Sequence, residues 1–190
     1  MGSLHLTLAS ASPRRRELLG RLGVAPDAVT PADIDETPHK GERPNDYALR
    51  MGREKALAVQ STGYVLAGDT VVACGRRILP KTEHEAEARE CLELMSGRRH
   101  TVLSSVVLRA PDGALKERLS ESVVRMKNLS REEIDAYIAG GEWEGKAGGY
   151  AIQGAAEGLI QWIRGSHSSI MGLPLYETRA LLKSAGFEIG

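Results

Sequence analysis

The sequence predicts an α/β fold: a mixed, twisted central sheet with helices on both faces and two lobes around a cleft. Three observations carry this reading. Apolar, β-rich runs alternate with segments of helical periodicity through most of the chain, two such runs flank a tight turn in mid-chain as an antiparallel hairpin would, and Gly or Pro marks most boundaries. With 190 residues, 42% hydrophobic and 26% charged, the chain can fill a core without staples and reads as one domain over residues 1–190.

His5 to Ala9 reads as a short strand. Ser12 then suits an N-cap and Pro13 the first position of a helix that Gly20 or Gly23 stops. Asp33 to Pro38 is an acidic extended segment ending in a turn, and a second helix is expected from Asp46 to Gln60. Val65 to Cys74 reads as a strand that Gly75-Arg76 turns into Arg77-Ile78-Leu79. Thr82 with Glu85 has capping-box spacing for a helix to Met95, which Ser96-Gly97 ends. Thr101 to Arg109 and Leu115 to Met126 pair through Pro111-Asp112-Gly113. Ser130 with Glu133 opens a helix to Gly140-Gly141, followed by a glycine-rich loop, Lys146 to Gly154, and a strand near Leu159 to Ile163. Pro174 sits at N1 of a last helix closed by Gly186. The expected break between lobes is near residue 96, where a helix gives way to paired strands.

Composition excludes several function classes. The 25 Lys and Arg balance the 25 Asp and Glu, so no global charge directs the chain to nucleic acid or to anionic membranes, and any anion site is local. With 2 Trp, 5 Tyr and 1 Phe, a stacking platform for single strands is not expected. Cys74 and Cys91 lack CxxC spacing and read as reduced core thiols. His5, His39, His84, His100 and His167 form no HxxxH or HExxH pair, which disfavours a histidine metal site or a Ser-His-Asp triad, and neither GxxxxGK[ST] nor a strand-linked GxGxxG occurs. No basic segment precedes an apolar run at the N-terminus, and no run reaches the roughly 18 apolar residues of a membrane span, so a cytoplasmic protein is expected.

Four groups of residues could carry chemistry. Ser10-Ala11-Ser12-Pro13-Arg14-Arg15-Arg16 places three cations in a first helical turn, where the helix dipole disfavours each by roughly 0.3 to 1 kcal/mol. A bound polyanion would explain them, because free N–H groups, hydroxyls and guanidinium forks suit phosphate; the alternative is arginines splayed into solvent. Asp69 lies within an apolar strand, where a carboxylate is costly unless paired, metal-bound or functional, and Gly68 beside it leaves room for a ligand. It could serve as general base for water or as a Mg²⁺ ligand, or it could cap a loop. Glu36, on the opposite strand face from Asp33 and Asp35, could meet Asp69 across the cleft and share a divalent ion, unless the acidic run is a solvated loop. Lys55, Lys81 and Lys146 could each be a surface lysine, but together with the arginines they would neutralise a triphosphate.

Leu8-Ala9-Ser10-Ala11-Ser12-Pro13-Arg14-Arg15, Ile34-Asp35-Glu36, Arg53-Glu54-Lys55-Ala56, Ala67-Gly68-Asp69-Thr70-Val71-Val72, Ser96-Gly97-Arg98-Arg99-His100, Lys146 to Gly154 and Gly172-Leu173-Pro174-Leu175 closely resemble the Maf family of nucleoside triphosphate pyrophosphatases, collinearly from about residue 6 to 187. The resemblance implies Mg²⁺- or Mn²⁺-dependent hydrolysis of a nucleoside triphosphate to monophosphate and pyrophosphate, as house-cleaning of nucleotide pools, commonly by a homodimer. It places the catalytic base on Asp69, other catalytic groups on Glu36, Lys55 and Lys81, the metal on Glu36 and Asp69, and substrate binding on Ser10, Arg14, Arg15, Thr70 and Gln153. Arg14, Thr70 and Gln153 are similar to the dTTP/UTP branch, whereas the branch preferring 7-methyl-GTP typically carries Trp, Gln and Glu there. A Gln amide can pair with both the O4 acceptor and the N3 donor of uracil or thymine, and modified pyrimidine nucleotides belong to the same substrate class. Two departures stand out: the family usually reads Leu-Gly-Lys-Pro where this chain has Leu79-Pro80-Lys81-Thr82, and an Asp commonly stands at Gly145. The competing readings are a 7-methyl-GTP pyrophosphatase and a non-catalytic nucleotide-binding regulator of septum formation.

Overall fold

A computed structural model describes residues 4–189. In chain order the elements are β1 (Leu6–Leu8), α1 (Pro13–Gly20), β2 (Ala28–Val29), α2 (Pro44–Ala58), β3 (Tyr64–Cys74), β4 (Arg77–Leu79), α3 (Glu85–Met95), β5 (Arg99–Arg109), β6 (Leu115–Met126), α4 (Arg131–Ala139), a 3₁₀ turn (Ala155–Leu159), β7 (Ile160–Arg164), α5 (His167–Met171) and α6 (Leu175–Ser184). The strands form one mixed sheet in the order β2-β1-β3-β5-β6-β7, with β4 also paired to β3. β2, β1 and β3 run parallel, while β3, β5, β6 and β7 form an antiparallel series.

Alternation along β3 sorts the two faces. Val65, Ala67 and Val71 meet α2 through Ala48, Met51, Ala56 and Val59, and Val107 and Leu103 of β5 continue that layer. Leu66 and Val72 point the other way, into the larger core with Leu18 and Leu19 of α1, Leu92 and Met95 of α3, and Leu181 and Leu182 of α6. Helices therefore cover both faces, as the sequence predicts. α2 lies close to the sheet because Gly52 has no side chain; a Cβ there would stand 2.7 Å from Ser105 Oγ.

The division near residue 96 is not found. Ser96-Gly97 does turn the chain after α3, but β5 then pairs along β3 from Ala73↔Thr101 to Val65↔Arg109, so the two halves share one sheet. The cleft opens elsewhere. β1 pairs β3 only as far as Leu66, and β4 rejoins the same edge at Val72, which leaves the middle of β3 without a strand neighbour there among the described residues. Asp69 and Thr70 lie in that gap, on opposite faces.

Several boundaries differ from expectation for local reasons. α2 begins at Pro44 rather than Asp46, using the proline in its first turn. Thr82 does not cap α3; His84 holds that position, and the Glu87 carboxylate accepts from the Glu83 and His84 N–H groups. Pro174 is the N-cap of α6, not its first residue. The short α5 was not expected; Ser166 caps it by accepting from Ser169 N.

His100 on β5 is buried, with Nε2 2.7 Å from the Tyr150 hydroxyl, and burial lowers its pKa from the ordinary 6.5 to about 4. Between those values the unfolded chain binds a proton that the folded chain refuses, so stability is present above pH 6.5 and is lost as pH falls toward 4. The expected loss is of order 2 to 4 kcal/mol. Urea unfolding between pH 7 and pH 4 measures it, and His100→Asn should flatten the slope over that interval; an unchanged slope would show that other groups carry it.

Candidate active site

The gap in the sheet becomes a cleft of about 500 Å³. Its floor is the end of β1 and the N-terminus of α1, with β3 on one side and the glycine-rich loop, residues 145–154, on the other. Ser10, Arg14, Arg15, Glu36, Lys55, Asp69, Thr70, Lys81 and Gln153, every site residue expected from the sequence, line it. Arg16 instead faces solvent.

Lys55 is the hub. It projects from the covered face of α2, is 6% exposed, and sets its Nζ 2.6 Å from Asp69 Oδ1 and 2.8 Å from Glu36 Oε1. Asp69 is 3% exposed, and its backbone N–H donates to Ser105 Oγ. Lys81 donates to the second oxygen of Glu36. Burial raises the Glu36 pKa, but the hydrogen bonds from Lys55 and Lys81 outweigh it and hold the carboxyl below its usual range. Glu36 and Asp69 thus meet across the cleft, joined by an ammonium.

Glu36 comes from an irregular segment, not from a strand. It is held because the Tyr47 hydroxyl on α2 donates to the Glu36 carbonyl at 2.6 Å. Burial, then Asp69 and Glu36, push the Tyr47 hydroxyl up to about 12, so it stays a donor. Sequence reading missed Tyr47, whose only signal was an aromatic at the start of an amphipathic helix.

Arg15 and Thr70 are turned toward the protein. Arg15 Nε donates to Gly172 O, Nη1 to Ser10 Oγ and Nη2 to Thr70 Oγ1, a fork that ties α1 to the segment after β1, to β3 and to the C-cap of α5. Ser104 stands 3.1 Å from the Thr70 hydroxyl and donates to Ser169 O. Arg14 differs: its Nε is buried without a partner, and burial, then Arg15, lower its pKa. Gln153 lines the cleft from an exposed position.

The glycine-rich loop is pinned beside β4. Thr82, fully buried, donates from Oγ1 to Trp143 O and Lys146 O, while Gly148 N donates to Pro80 O. Gly148 and Gly149 both have positive φ, and a Cβ on Gly149 would meet the Ala88 backbone at 3.2 Å, so glycine is required by conformation and by space. Where the motif departs at Gly145, Lys146 is oriented by its own loop, donating to Glu144 O at 2.9 Å. Burial, then Arg14, lower its pKa. Of the lining groups, the cations Arg14, Arg15, Lys55, Lys81 and Lys146 outnumber the carboxylates Glu36, Asp69 and Glu144, so the cleft favours an anion.

The family model described as Maf-like protein matches residues 5–185. The chain belongs to this family. The Maf-like chain is 63% identical to a dTTP/UTP pyrophosphatase of Novosphingobium aromaticivorans, over 97% of this chain and 94% of that protein. It is 57% identical to a dTTP/UTP pyrophosphatase of Zymomonas mobilis, over 97% and 93% respectively. A solved HAM1 protein from Coxiella burnetii, 18% identical with a TM-score of 0.54 over 96% of this chain and 100% of that one, shares the fold. No helix among the described residues of the Maf-like chain is long and apolar enough to cross a membrane.

Proposed function

We propose that this chain hydrolyses dTTP and UTP, and modified pyrimidine nucleotides of the same class, to the monophosphate and pyrophosphate. The observation that carries this is the buried Lys55 joining Asp69 and Glu36 in a cation-lined cleft at the N-terminus of α1, in a chain 63% identical to a dTTP/UTP pyrophosphatase. Free N–H groups of the α1 first turn, Ser10 and Arg14 bind the phosphates. Asp69 accepts the proton of the attacking water as its oxygen adds to the phosphoryl group and the α–β anhydride breaks. Lys81, Lys146 and Arg14 take the charge of the departing pyrophosphate, and Arg15 holds Ser10 and Thr70 in place.

A divalent ion, Mg²⁺ or Mn²⁺, fits this donor set. Glu36 and Asp69 are hard carboxylates that face each other across the cleft, and they would hold such an ion beside the substrate phosphates. When bound it neutralises phosphate charge and acidifies water. Homodimeric assembly rests on the motif resemblance, and light scattering reads it.

The test is a panel of UTP, dTTP, CTP, GTP and 7-methyl-GTP with pyrophosphate detection. UTP and dTTP should exceed CTP and GTP by at least roughly tenfold in kcat/KM, since a base edge with donors and acceptors reversed loses its pairing with the Gln153 amide. Gln153→Glu should erode that preference, because a carboxylate only accepts. Preference for 7-methyl-GTP would move the chain to the other branch, and nucleotide binding with no pyrophosphate release would favour the regulator.

A further inference from the structure

We infer that Lys55 is a resident counter-ion that keeps divalent cations out of the nucleotide-free cleft, so that metal is taken up only together with a triphosphate. The inference deepens the reading above and rests on it. Three of the four oxygens of Glu36 and Asp69 already face ammonium groups: Asp69 Oδ1 and Glu36 Oε1 face Lys55, and Glu36 Oε2 faces Lys81. The Arg15 guanidinium adds a further positive charge that acts on both carboxylates. Two negative charges therefore already meet two ammonium groups in contact, with the Arg15 guanidinium lining the same cleft. A divalent ion entering alone would have to shed water, compete for occupied oxygens and enlarge that positive excess.

Lys55 cannot simply yield to it. Its stem is 6% exposed on α2, and α2 is held against β5 where Gly52 meets Ser105. Withdrawing the ammonium would take from Asp69, 3% exposed, its ion-pair partner and leave Glu36 with Lys81 alone, so the ion would have to replace a buried, hydrogen-bonded charge rather than fill a free site. A triphosphate changes the balance, because it brings more negative charge than the ion brings positive and offers the released ammonium a phosphate oxygen instead. Selectivity follows: metal at cellular concentration does not enter the cleft by itself, and the nucleotide decides when the full set assembles.

Mn²⁺ titration followed by the EPR signal of free ion tests this with a readout independent of turnover. Wild type alone is expected to take up no Mn²⁺ up to about 1 mM, and, when α,β-imido-UTP, whose scissile bridge is not hydrolysed, is added, to lower the free-ion signal beyond what the same analogue, itself a Mn²⁺ chelator, removes without protein. Lys55→Met should bind Mn²⁺ without nucleotide at least about tenfold more tightly than wild type, and Lys55→Gln, which keeps a donor but no charge, should show the same gain. A merely structural lysine gives no gain in metal affinity on removal. Equal Mn²⁺ affinity of wild type with and without the analogue overturns the inference, as does the absence of a gain in whichever variant folds; the wild-type comparison decides alone if neither does. Pyrophosphate release from UTP by the same wild-type preparation separates the two readings. Its absence overturns the enzymatic one, whereas release accompanied by nucleotide-free Mn²⁺ binding overturns only the role of Lys55.

Discussion

Asp69→Asn is expected to lower kcat for UTP by about 10²-fold or more while the protein still folds, the scale usual for loss of a general base. The replacement has the same shape, keeps an oxygen for Lys55 Nζ and leaves the backbone bond to Ser105 Oγ untouched, and Glu36 still balances the ammonium. What it loses is the ability to take a proton from water. Initial rates at saturating UTP and Mg²⁺, with circular dichroism to verify the fold, measure the effect. Wild-type turnover in the variant would make Asp69 a structural partner of Lys55 and remove the base from the mechanism.

Gly68→Ala is expected to destabilise the protein by about 1 to 3 kcal/mol and to reduce kcat/KM by more than about tenfold. A Cβ at residue 68 would stand 2.6 Å from the Ser105 carbonyl oxygen, and because both atoms are fixed by the backbone no rotamer relieves it and β3 has to move away from β5. Asp69 and Thr70 follow directly in the chain and move with it. Gly158→Ala serves as the control, since a Cβ there meets nothing within 4 Å and the backbone is not left-handed. Urea midpoints and kcat/KM for dTTP check both; a Gly68→Ala variant as stable and active as the control would show that the strands tolerate separation.

The same glycine shows where sequence reading stops. Beside Asp69 it suggests room for a ligand, but the space belongs to the β5 carbonyl. Strands, the hairpin and the Ser130 cap are legible because period and turn chemistry are local properties. Thr82 was misread because its spacing to Glu85 satisfies a capping box, while the folded chain uses its hydroxyl for carbonyls about sixty residues away. Likewise a buried carboxylate at Asp69 and an inward lysine at Lys55 can be suspected from pattern, but that one ammonium joins Asp69 to Glu36 depends on how α2 lies on the sheet. Arg15 resembles a phosphate ligand in sequence, and only the arrival of Gly172 shows its guanidinium engaged elsewhere.

The bond from Arg15 to Gly172 spans 157 positions of chain, and β1, which pairs β2 nearby, has to wait for β3 to supply its second parallel partner. Contacts of such sequence separation slow folding, because loop-closure entropy is spent before the contacts form. A nascent chain emerging from the ribosome therefore carries Ser10, Glu36, Lys55, Asp69 and Lys81 well before Gly172 exists to lock α1 in position. Fragments that end before α5 will hold the reactive side chains without the clamp that orders them, so competence arrives late and all at once during biosynthesis.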